Sequence, residues 1–421
     1  MVIAISCGEP AGIGPEVAAK AWAALQGELD MLWIGDPRHL PPGTRWVAVP
    51  APLATGAGGT NAATTMAAGS GTAATGAAGS TAALPSAGLL ADAEPGVAEF
   101  AGAATGAARF GAAAPGAAGF GIAATGAAGF GAAAPGAVQF GAAATGAARF
   151  GTAAPGAAAG RPLPVLVQDF GPPPIPGRPQ PALAAGVIAA IATAVRLAQA
   201  GVVHGICTAP IAKAALASGA GFAYPGHTEF LAALAGVPRA VMMLACDSLR
   251  VVPVTIHIPL AQVAAHLTSA LLDQTIRITA AGLIRDCGIA RPRIAVAGLN
   301  PHAGEDGRMG DEERSLIAPV LQALRQDGLD IAGPLPADTM FHPAARARYD
   351  VAICMYHDQA LIPIKTLDFA GGVNVTLGLP FVRTSPDHGT AFDIAGLGQA
   401  DPTSMIAAVR MAARMARARE A

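Results

Sequence analysis

The stretch GEPAGIGPE, residues 8 to 16, follows the apolar run VIAIS and precedes the alanine-rich run VAAKAWAAL. The apolar run is typical of a buried strand, and Pro15 suits the first turn of a helix. A dinucleotide-binding loop would need a third glycine where Val17 stands, and a phosphate-binding P-loop would need a lysine that the stretch lacks. The stretch therefore predicts a strand, a tight turn and a helix. It leaves open whether the turn binds a ligand.

The overall composition argues against several classes of protein. The chain of 421 residues has a formal net charge of −2, which gives no electrostatic reason to expect nucleic acid or an anionic membrane as a partner. Its five cysteines are scattered without a C-x-x-C pair, which argues against a disulfide framework and a zinc–thiolate site. The N-terminus lacks the basic start and long apolar core of a signal peptide. We therefore expect a soluble cytoplasmic protein.

Residues 51–160 differ in character from the rest of the chain. Phenylalanine recurs every ten residues from Phe100 to Phe150, in units such as FGAAAPGAAG. Ten steps of about 100° place these rings on different faces of a helix, and the frequent glycine and proline oppose a regular strand. Alanine buries too little apolar area to offset the cost of ordering the chain, so we expect a flexible insert. The alternative is a compact repeat stack that buries the phenylalanines.

Outside the insert, we expect residues 1–50 and 161–421 to form one catalytic unit. Short apolar runs such as VVHGICTAP and RYDVAICMYHDQ alternate with alanine- and leucine-rich helical stretches. This alternation is typical of an α/β fold with a mostly parallel sheet and flanking helices. The longest apolar stretch, residues 183–203, is interrupted by Arg196 and Gln199 and has helical periodicity. It predicts a buried helix and not a membrane span.

Three histidines follow apolar runs in the second half of the chain. His257 ends VVPVTIH, His302 follows RIAVAGLNPH and His357 follows YDVAICMYH. Ligands of open α/β sheets gather outside the carboxyl ends of the strands. Three imidazoles also leave a fourth coordination position open, as catalytic metal sites do. Each histidine alone is more often structural, but the three together predict a metal site.

Polar residues are concentrated in the segments around these histidines. YPGHTEFLAAL offers His227 and Thr228 just before a helix, although Thr228 could simply be the N-cap of that helix. Lys365, Asn374 and Arg383 follow within a stretch that is otherwise apolar. Lysine and arginine near one another suit an anionic group such as phosphate. The alternative, charges on a solvated loop, fits the apolar surroundings less well.

Five blocks of sequence resemble those of one family. GEPAGIGPE, GHTEFLA, GLNPHAGEDG, MYHDQALIPIK and GGVNVTLGLPFVRTSPDHGTAFDIAG are similar to the motifs of the 4-hydroxythreonine-4-phosphate dehydrogenases of vitamin B6 biosynthesis, in the same order. The resemblance covers essentially everything outside the insert. GIGPEV and HGTAFDIAG also resemble the isocitrate and isopropylmalate dehydrogenases. This relation implies two α/β lobes with the active site between them, and NAD bound without the Rossmann glycine pattern.

The resemblance also implies an activity and a set of site residues. The family oxidises the 3-hydroxyl of 4-phosphooxy-L-threonine with NAD (possibly NADP), and the 2-amino-3-oxo acid that results loses carbon dioxide to give 3-amino-2-oxopropyl phosphate. It is a homodimer whose active sites use residues of both subunits. Carried over motif by motif, His257, His302 and His357 would bind one divalent ion (zinc, cobalt or magnesium), and His227, Thr228, Lys365, Asn374 and Arg383 would hold the substrate.

The general base and the choice of substrate stay open. Lys213 and Asp338 are candidates for the base because both lie next to apparent strand ends, and His227 is a third. Family members commonly have asparagine where this chain has Ala212, which removes a local hydrogen bond. The main alternative is a paralogue that oxidises threonate or erythronate 4-phosphate. More distant alternatives are an interaction protein on an inactive core and a phosphotransacetylase-like transferase.

Overall fold

The computed structural model describes residues 1–50 and 160–421. The predictions for the insert therefore lie almost wholly outside the described residues. The described residues form one twelve-stranded sheet with helices against it. Its strands are β1 (Val2–Ser6), β2 (Asp30–Gly35), β3 (Trp46–Ala48), β4 (Leu163–Val167), β5 (Gly205–Thr208), β6 (Val241–Cys246), β7 (Leu249–Pro253), β8 (Arg293–Ala297), β9 (Asp330–Leu335), β10 (Val351–Cys354), β11 (Val373–Leu377) and β12 (Val382–Pro386).

The sheet is mostly parallel, as the alternation of strands and helices predicts. Its order is β3-β4-β2-β1-β5-β12-β11-β6-β7-β10-β8-β9. The neighbours β12–β11, β11–β6 and β6–β7 pair antiparallel, and the other neighbours pair parallel. Two parallel blocks are thus joined through antiparallel strands at the middle of one continuous sheet. The expected division into two lobes stays a prediction.

Ten α-helices accompany the strands in the described part of the chain. They are α1 (Gly14–Leu25), α2 (Ala184–Gln199), α3 (Lys213–Ala220), α4 (His227–Ala235), α5 (Val263–His266), α6 (Ser269–Cys287), α7 (Ala318–Gln326), α8 (Pro343–Arg346), α9 (His357–Leu367) and α10 (Thr403–Glu420). The segment from Pro181 to Gln199 is long and apolar enough to cross a membrane by composition alone. In the fold, α2 contacts β1, β2 and β5, with Val187, Ile191 and Val195 buried, so it packs as a core helix.

The stretch GEPAGIGPE forms the expected turn between β1 and α1. The helix begins at Gly14, one residue before Pro15, which therefore lies in the first turn. The glycines permit close backbone approaches. A β-carbon on Gly8 would lie 2.5 Å from the carbonyl oxygen of Pro210, and one on Gly12 would lie 2.7 Å from that of Thr390. Tight packing against neighbouring loops thus accounts for these glycines without a ligand.

The core is formed by the two faces of the sheet. All five residues of β1 are buried, as expected for a central parallel strand covered on both sides. Trp33 of β2 is fully buried in the same cluster. All five cysteines are free thiols, and only Cys287 is partly exposed.

Candidate active site

A cavity over the middle strands collects most of the predicted site residues. Its volume is about 260 Å³, and its walls come from β6, β11 and β12, from the segments after β5, β7 and β12, and from the first turns of α4 and α9. The predicted residues that line it are Lys213, His227, Thr228, His257, His357, Asn374 and Arg383. The structure thus brings together residues that are far apart in the sequence.

The hairpin of β11 and β12 supplies the floor of the cavity. Asn374 of β11 lies opposite Ser385 of β12, and on its other side opposite Leu244 of β6. Directly opposed residues project to the same face of a sheet, and so do residues two apart on one strand. Asn374, Ser385 and Arg383 therefore face the cavity together. An apolar neighbourhood with these few polar groups is typical of a small-molecule site.

His257 and His357 form a pair at one end of the cavity. They follow β7 and β10, as expected, and their ring centroids are 5.8 Å apart. A zinc ion bound through a ring nitrogen lies about 3 Å from the ring centroid, so two rings on one ion can be up to about 6 Å apart. A hydrogen bond of 2.7 Å joins His357 Nδ1 to the Asp358 carboxylate and leaves Nε2 for a ligand. The separation of the two rings is within the range that one shared ion allows.

The surroundings of His257 favour its neutral form, which is the form that binds metals. Burial lowers the pKa of His257, and the charges of Lys213 and His357 lower it further. The residue also has a φ of +56°, in the left-handed region. Non-glycine residues rarely adopt this conformation and, when they do, are often found at functional sites.

His302 and Asp338 lie outside the cavity. His302 follows β8 as expected, but it is exposed, and Asp338 is exposed after β9. The segments that carry the two residues contact each other. Within residues 1–50 and 160–421, no group of three or more potential ligands is close enough to hold a metal ion. One chain therefore places two of the three predicted metal ligands together.

The loop of His302 is held in place by a buried acid. The carboxylate of Glu313 accepts hydrogen bonds from the backbone N–H and the side chain of Asn300, at 2.7 and 3.0 Å. The residues from His302 to Asp306 all have positive φ values. The exposed imidazole thus stands on a strained loop that Asn300 and Glu313 anchor.

Arg383 is a buried cation in the wall of the cavity. Its side chain donates hydrogen bonds to the hydroxyls of Thr376 and Thr208, at 2.8 and 2.7 Å. Burial lowers the pKa of Arg383 to about 10, so the group stays charged at neutral pH. Its Nε atom is buried without a partner in the described part of the chain. An anionic ligand would satisfy both the charge and this donor.

His227, Thr228 and Asn374 add uncharged polar groups. Burial lowers the pKa of His227 well below its ordinary value, and the charges of Arg383 and Lys213 act in the same direction. Among the described residues, His227 Nε2 and Asn374 Oδ1 are buried without hydrogen-bond partners. Gly226, and not Thr228, is the N-cap of α4, so the N-cap interpretation of Thr228 is wrong. These free polar atoms indicate a site built for a polar ligand.

Lys365 reaches the site through an ion pair. It lies on α9 outside the cavity lining, and its ammonium group is 2.5 Å from the carboxylate of Asp387, which does line the cavity. The ammonium also lies 5.2 Å from the ring centroid of Phe369. In this arrangement Lys365 neutralises Asp387.

Several lining residues were not assigned a role from the sequence. They are Thr208, Glu229, Ser385 and His388, and each contributes a polar side chain. Glu229 and His388 lie within motifs that carry other site residues, and this proximity in the sequence is the feature that points to them. Thr208 and Ser385 lie inside buried strands, where nothing in the sequence distinguishes them from core residues. Their roles depend on strand pairing, which the sequence pattern does not specify.

Comparisons with known proteins give matches over most of the chain. The family model described as "Pyridoxal phosphate biosynthetic protein PdxA" matches residues 140–412. A 4-hydroxythreonine-4-phosphate dehydrogenase of Paracoccus denitrificans is 48% identical over 418 residues, which span 98% of this chain and 97% of that protein. The enzyme of the same name from Bradyrhizobium diazoefficiens is 60% identical over 248 residues, which span 58% of this chain and 72% of that protein.

A solved structure shares the fold. The crystal structure of 4-hydroxythreonine-4-phosphate dehydrogenase from Klebsiella pneumoniae has a TM-score of 0.68 and 30% sequence identity, and the match covers 99% of both chains. The sequence resemblance and the predicted fold class are confirmed by these matches.

Proposed function

The chain belongs to the PdxA family of pyridoxal phosphate biosynthetic proteins, and from that membership we propose which reaction it catalyses. It is an oxidoreductase of vitamin B6 biosynthesis. Its substrate is 4-phosphooxy-L-threonine, and NAD accepts a hydride from carbon 3 while the 3-hydroxyl loses its proton. The 2-amino-3-oxo-4-phosphooxybutanoate that forms then loses carbon dioxide to give 3-amino-2-oxopropyl phosphate.

One observation carries this proposal. A single cavity combines a histidine pair at metal-binding distance with a buried arginine, a lysine and several unpaired polar atoms. Arg383 and Lys213 supply positive charge for the phosphate and carboxylate groups, and His227, Thr228 and Asn374 supply hydrogen bonds. Lys365 joins this set if its ammonium group leaves Asp387 and binds an anionic group of the substrate.

The proton of the 3-hydroxyl needs an acceptor in the same cavity. Lys213 and His227 both line the cavity. Burial lowers the pKa of His227, so its ring is unprotonated at neutral pH and has the lone pair that a base needs, although the lowered pKa also makes it a weak base. Asp338 is exposed on this chain and acts as the base only in a site that a second subunit completes.

His257, His302 and His357 would hold one divalent ion (zinc, cobalt or magnesium). Such an ion would supply a Lewis acid for the oxidation of the substrate's 3-hydroxyl group. His302 and Asp338 lie on contacting exposed segments, so one neighbouring surface can deliver both residues. A homodimer with shared active sites therefore accounts for their position outside the cavity of their own chain.

NAD would lie beside the cavity, along the segment 387–396. Asp387, His388 and Gly389 line the cavity from that side, which supports a nicotinamide position next to the substrate. The free thiols support a reducing cytoplasmic location. Nothing in the charge of the chain favours nucleic acid or an anionic membrane as a partner.

The first test follows NADH formation from 4-phosphooxy-L-threonine at 340 nm. Turnover by the wild-type protein should be lost after treatment with a chelator and should return with added divalent metal. His257→Ala and His302→Ala should each abolish turnover and bound metal. His266→Ala, which changes an exposed histidine on α5, is the matched control and should retain both. Full activity of the chelated protein or of His302→Ala would contradict the metal site.

Mixed dimers test whether the sites are shared. If His302 serves the partner's site, a dimer of one His257→Ala chain and one His302→Ala chain contains one intact site. A statistical mixture of the two inactive variants should then recover about a quarter of the wild-type activity. No recovery would show that each site takes His257 and His302 from the same chain.

A further inference from the structure

Glu229 places an acidic side chain in a cavity that is otherwise rich in positive charge. It lies in the first turn of α4 and lines the cavity with Lys213 and Arg383. A β-carbon placed on Gly226 would be 3.5 Å from Glu229 Oε2 and 4.0 Å from Lys213 Nζ. The carboxylate therefore lies on the same side of α4 as the cationic groups.

The carboxylate of Glu229 is free to accept a cation from a ligand. Within the described part of the chain, it takes part in none of the ion pairs. The other acid that lines the cavity, Asp387, is neutralised by Lys365. The charge of Glu229 also partly opposes the lowering of the Arg383 pKa that burial causes. Its field thus reaches the buried guanidinium.

The chemistry of the proposed substrate supplies the missing partner. 4-Phosphooxy-L-threonine carries a phosphate and a carboxylate, which the cationic groups suit, and one positive group, its α-ammonium. Removing an ammonium group from water is costly unless a carboxylate or other acceptor replaces the water. A sugar acid phosphate has a hydroxyl at this position, so an unpaired carboxylate would offer it no ionic partner.

We propose that Glu229 binds the α-ammonium group of the substrate and makes the site select amino acid phosphates over sugar acid phosphates. This inference rests on the proposed function. Acids in the first turn of a helix also stabilise the helix dipole, but that role would affect both classes of ligand alike. The difference between the two ligands is therefore the informative measurement.

The experiment compares 4-phosphooxy-L-threonine with threonate 4-phosphate, which has a hydroxyl in place of the ammonium group. We expect Glu229→Gln to raise KM and the dissociation constant for the amino acid phosphate by about ten- to a hundredfold, with a smaller change in kcat. The dissociation constant for threonate 4-phosphate should stay within about threefold or decrease. Glu229→Asp should recover part of the preference.

Calorimetric binding of both ligands keeps this test separate from turnover. Glu28→Gln, which removes an exposed acid paired with Arg410, is the charge-matched control and should change neither ligand's affinity. If the wild-type protein binds the amino acid phosphate preferentially but does not oxidise it, the proposed reaction fails and the inference stands. Equal effects of Glu229→Gln on the two ligands, or no preference in the wild-type protein, would overturn the inference.

Discussion

Replacing Arg383 with methionine should stabilise the ligand-free protein while it abolishes binding of phosphate. Arg383 is 2% exposed, and its guanidinium is held by two threonine hydroxyls. No carboxylate of residues 1–50 or 160–421 forms an ion pair with it. The folded protein therefore keeps a charge out of water without a counter-ion, in a position that we propose serves an anionic ligand.

The size of the effect follows from the ionisation of this group. Burial lowers the pKa of Arg383 to about 10, and each tenfold change in an ionisation constant corresponds to about 1.4 kcal/mol. The charged form in the folded state is thus disfavoured by about 3 kcal/mol. This penalty is fully present at pH 7, because the side chain is protonated in both the folded and the unfolded state at any pH below about 10.

Methionine removes the charge and also removes two hydrogen-bond donors. The hydroxyls of Thr376 and Thr208 lose their partner, at a cost of about 1 kcal/mol each. The unfolding free energy of Arg383→Met should therefore rise by about 1 kcal/mol in the absence of ligand. Such a trade between stability and binding is common where a site needs a group that the fold does not favour.

Urea unfolding at pH 7 and a fixed protein concentration measures this change. The matched control is Arg277→Met, which removes an exposed arginine paired with Asp273 and Asp327 and should change stability by less than about 1 kcal/mol. Inorganic phosphate should stabilise the wild-type protein and the control but not Arg383→Met. A loss of about 2 kcal/mol or more on removing Arg383, or equal stabilisation by phosphate, would refute the reasoning.

Two further predictions concern stability. Burial lowers the pKa of His39 to about 4, and its ring packs edge-on against Phe170. The histidine of the unfolded chain therefore binds a proton more tightly than that of the folded protein. The unfolding free energy should fall as the pH decreases from about 6.5 towards 4. Between pH 7 and 5 the wild-type protein should lose about 2 kcal/mol more unfolding free energy than His39→Leu. If urea unfolding shows the same loss for both proteins, protonation of His39 is not the cause. Ala212 is the N-cap of α3 and has no side chain that could accept a capping hydrogen bond. Ala212→Asn should therefore raise the unfolding free energy by about 1 kcal/mol and with it the thermal midpoint. An unchanged midpoint would mean that the asparagine does not cap the helix.

Local features of the fold could be predicted from the sequence because they depend on neighbouring residues. The apolar run before Gly8 forms β1, and the stretch ending at Glu16 leads into α1. The positions of His257 and His357 after β7 and β10 follow from the apolar runs that precede them. Apolar runs and turn residues indicate where a strand ends, so the sequence alone predicts which polar residues lie at strand ends.

Pairing between distant strands could not be predicted in the same way. The hairpin of β11 and β12 joins two parallel blocks through antiparallel neighbours, and no periodicity in VNVTLGLPFVRTSP indicates which strands it will meet. That pairing buries Arg383 beside Thr208, a residue 175 positions away. The ion pair of Lys365 with Asp387 likewise depends on how α9 lies against the segment after β12.

The distribution of backbone strain gives an independent reason to keep His302 in the site. In the described part of the chain, positive φ values of non-glycine residues occur at His257, at Ala391 and in the loop from His302 to Asp306. Each such residue costs about 1–3 kcal/mol and persists only where its surroundings impose it. The loop is exposed, and buried Glu313 anchors it through Asn300. Two of the three histidines predicted to bind the metal thus have positive φ values although only one lies in the cavity, and the proposed presentation of the His302 imidazole to a second chain would account for both the strain and the exposure of this residue.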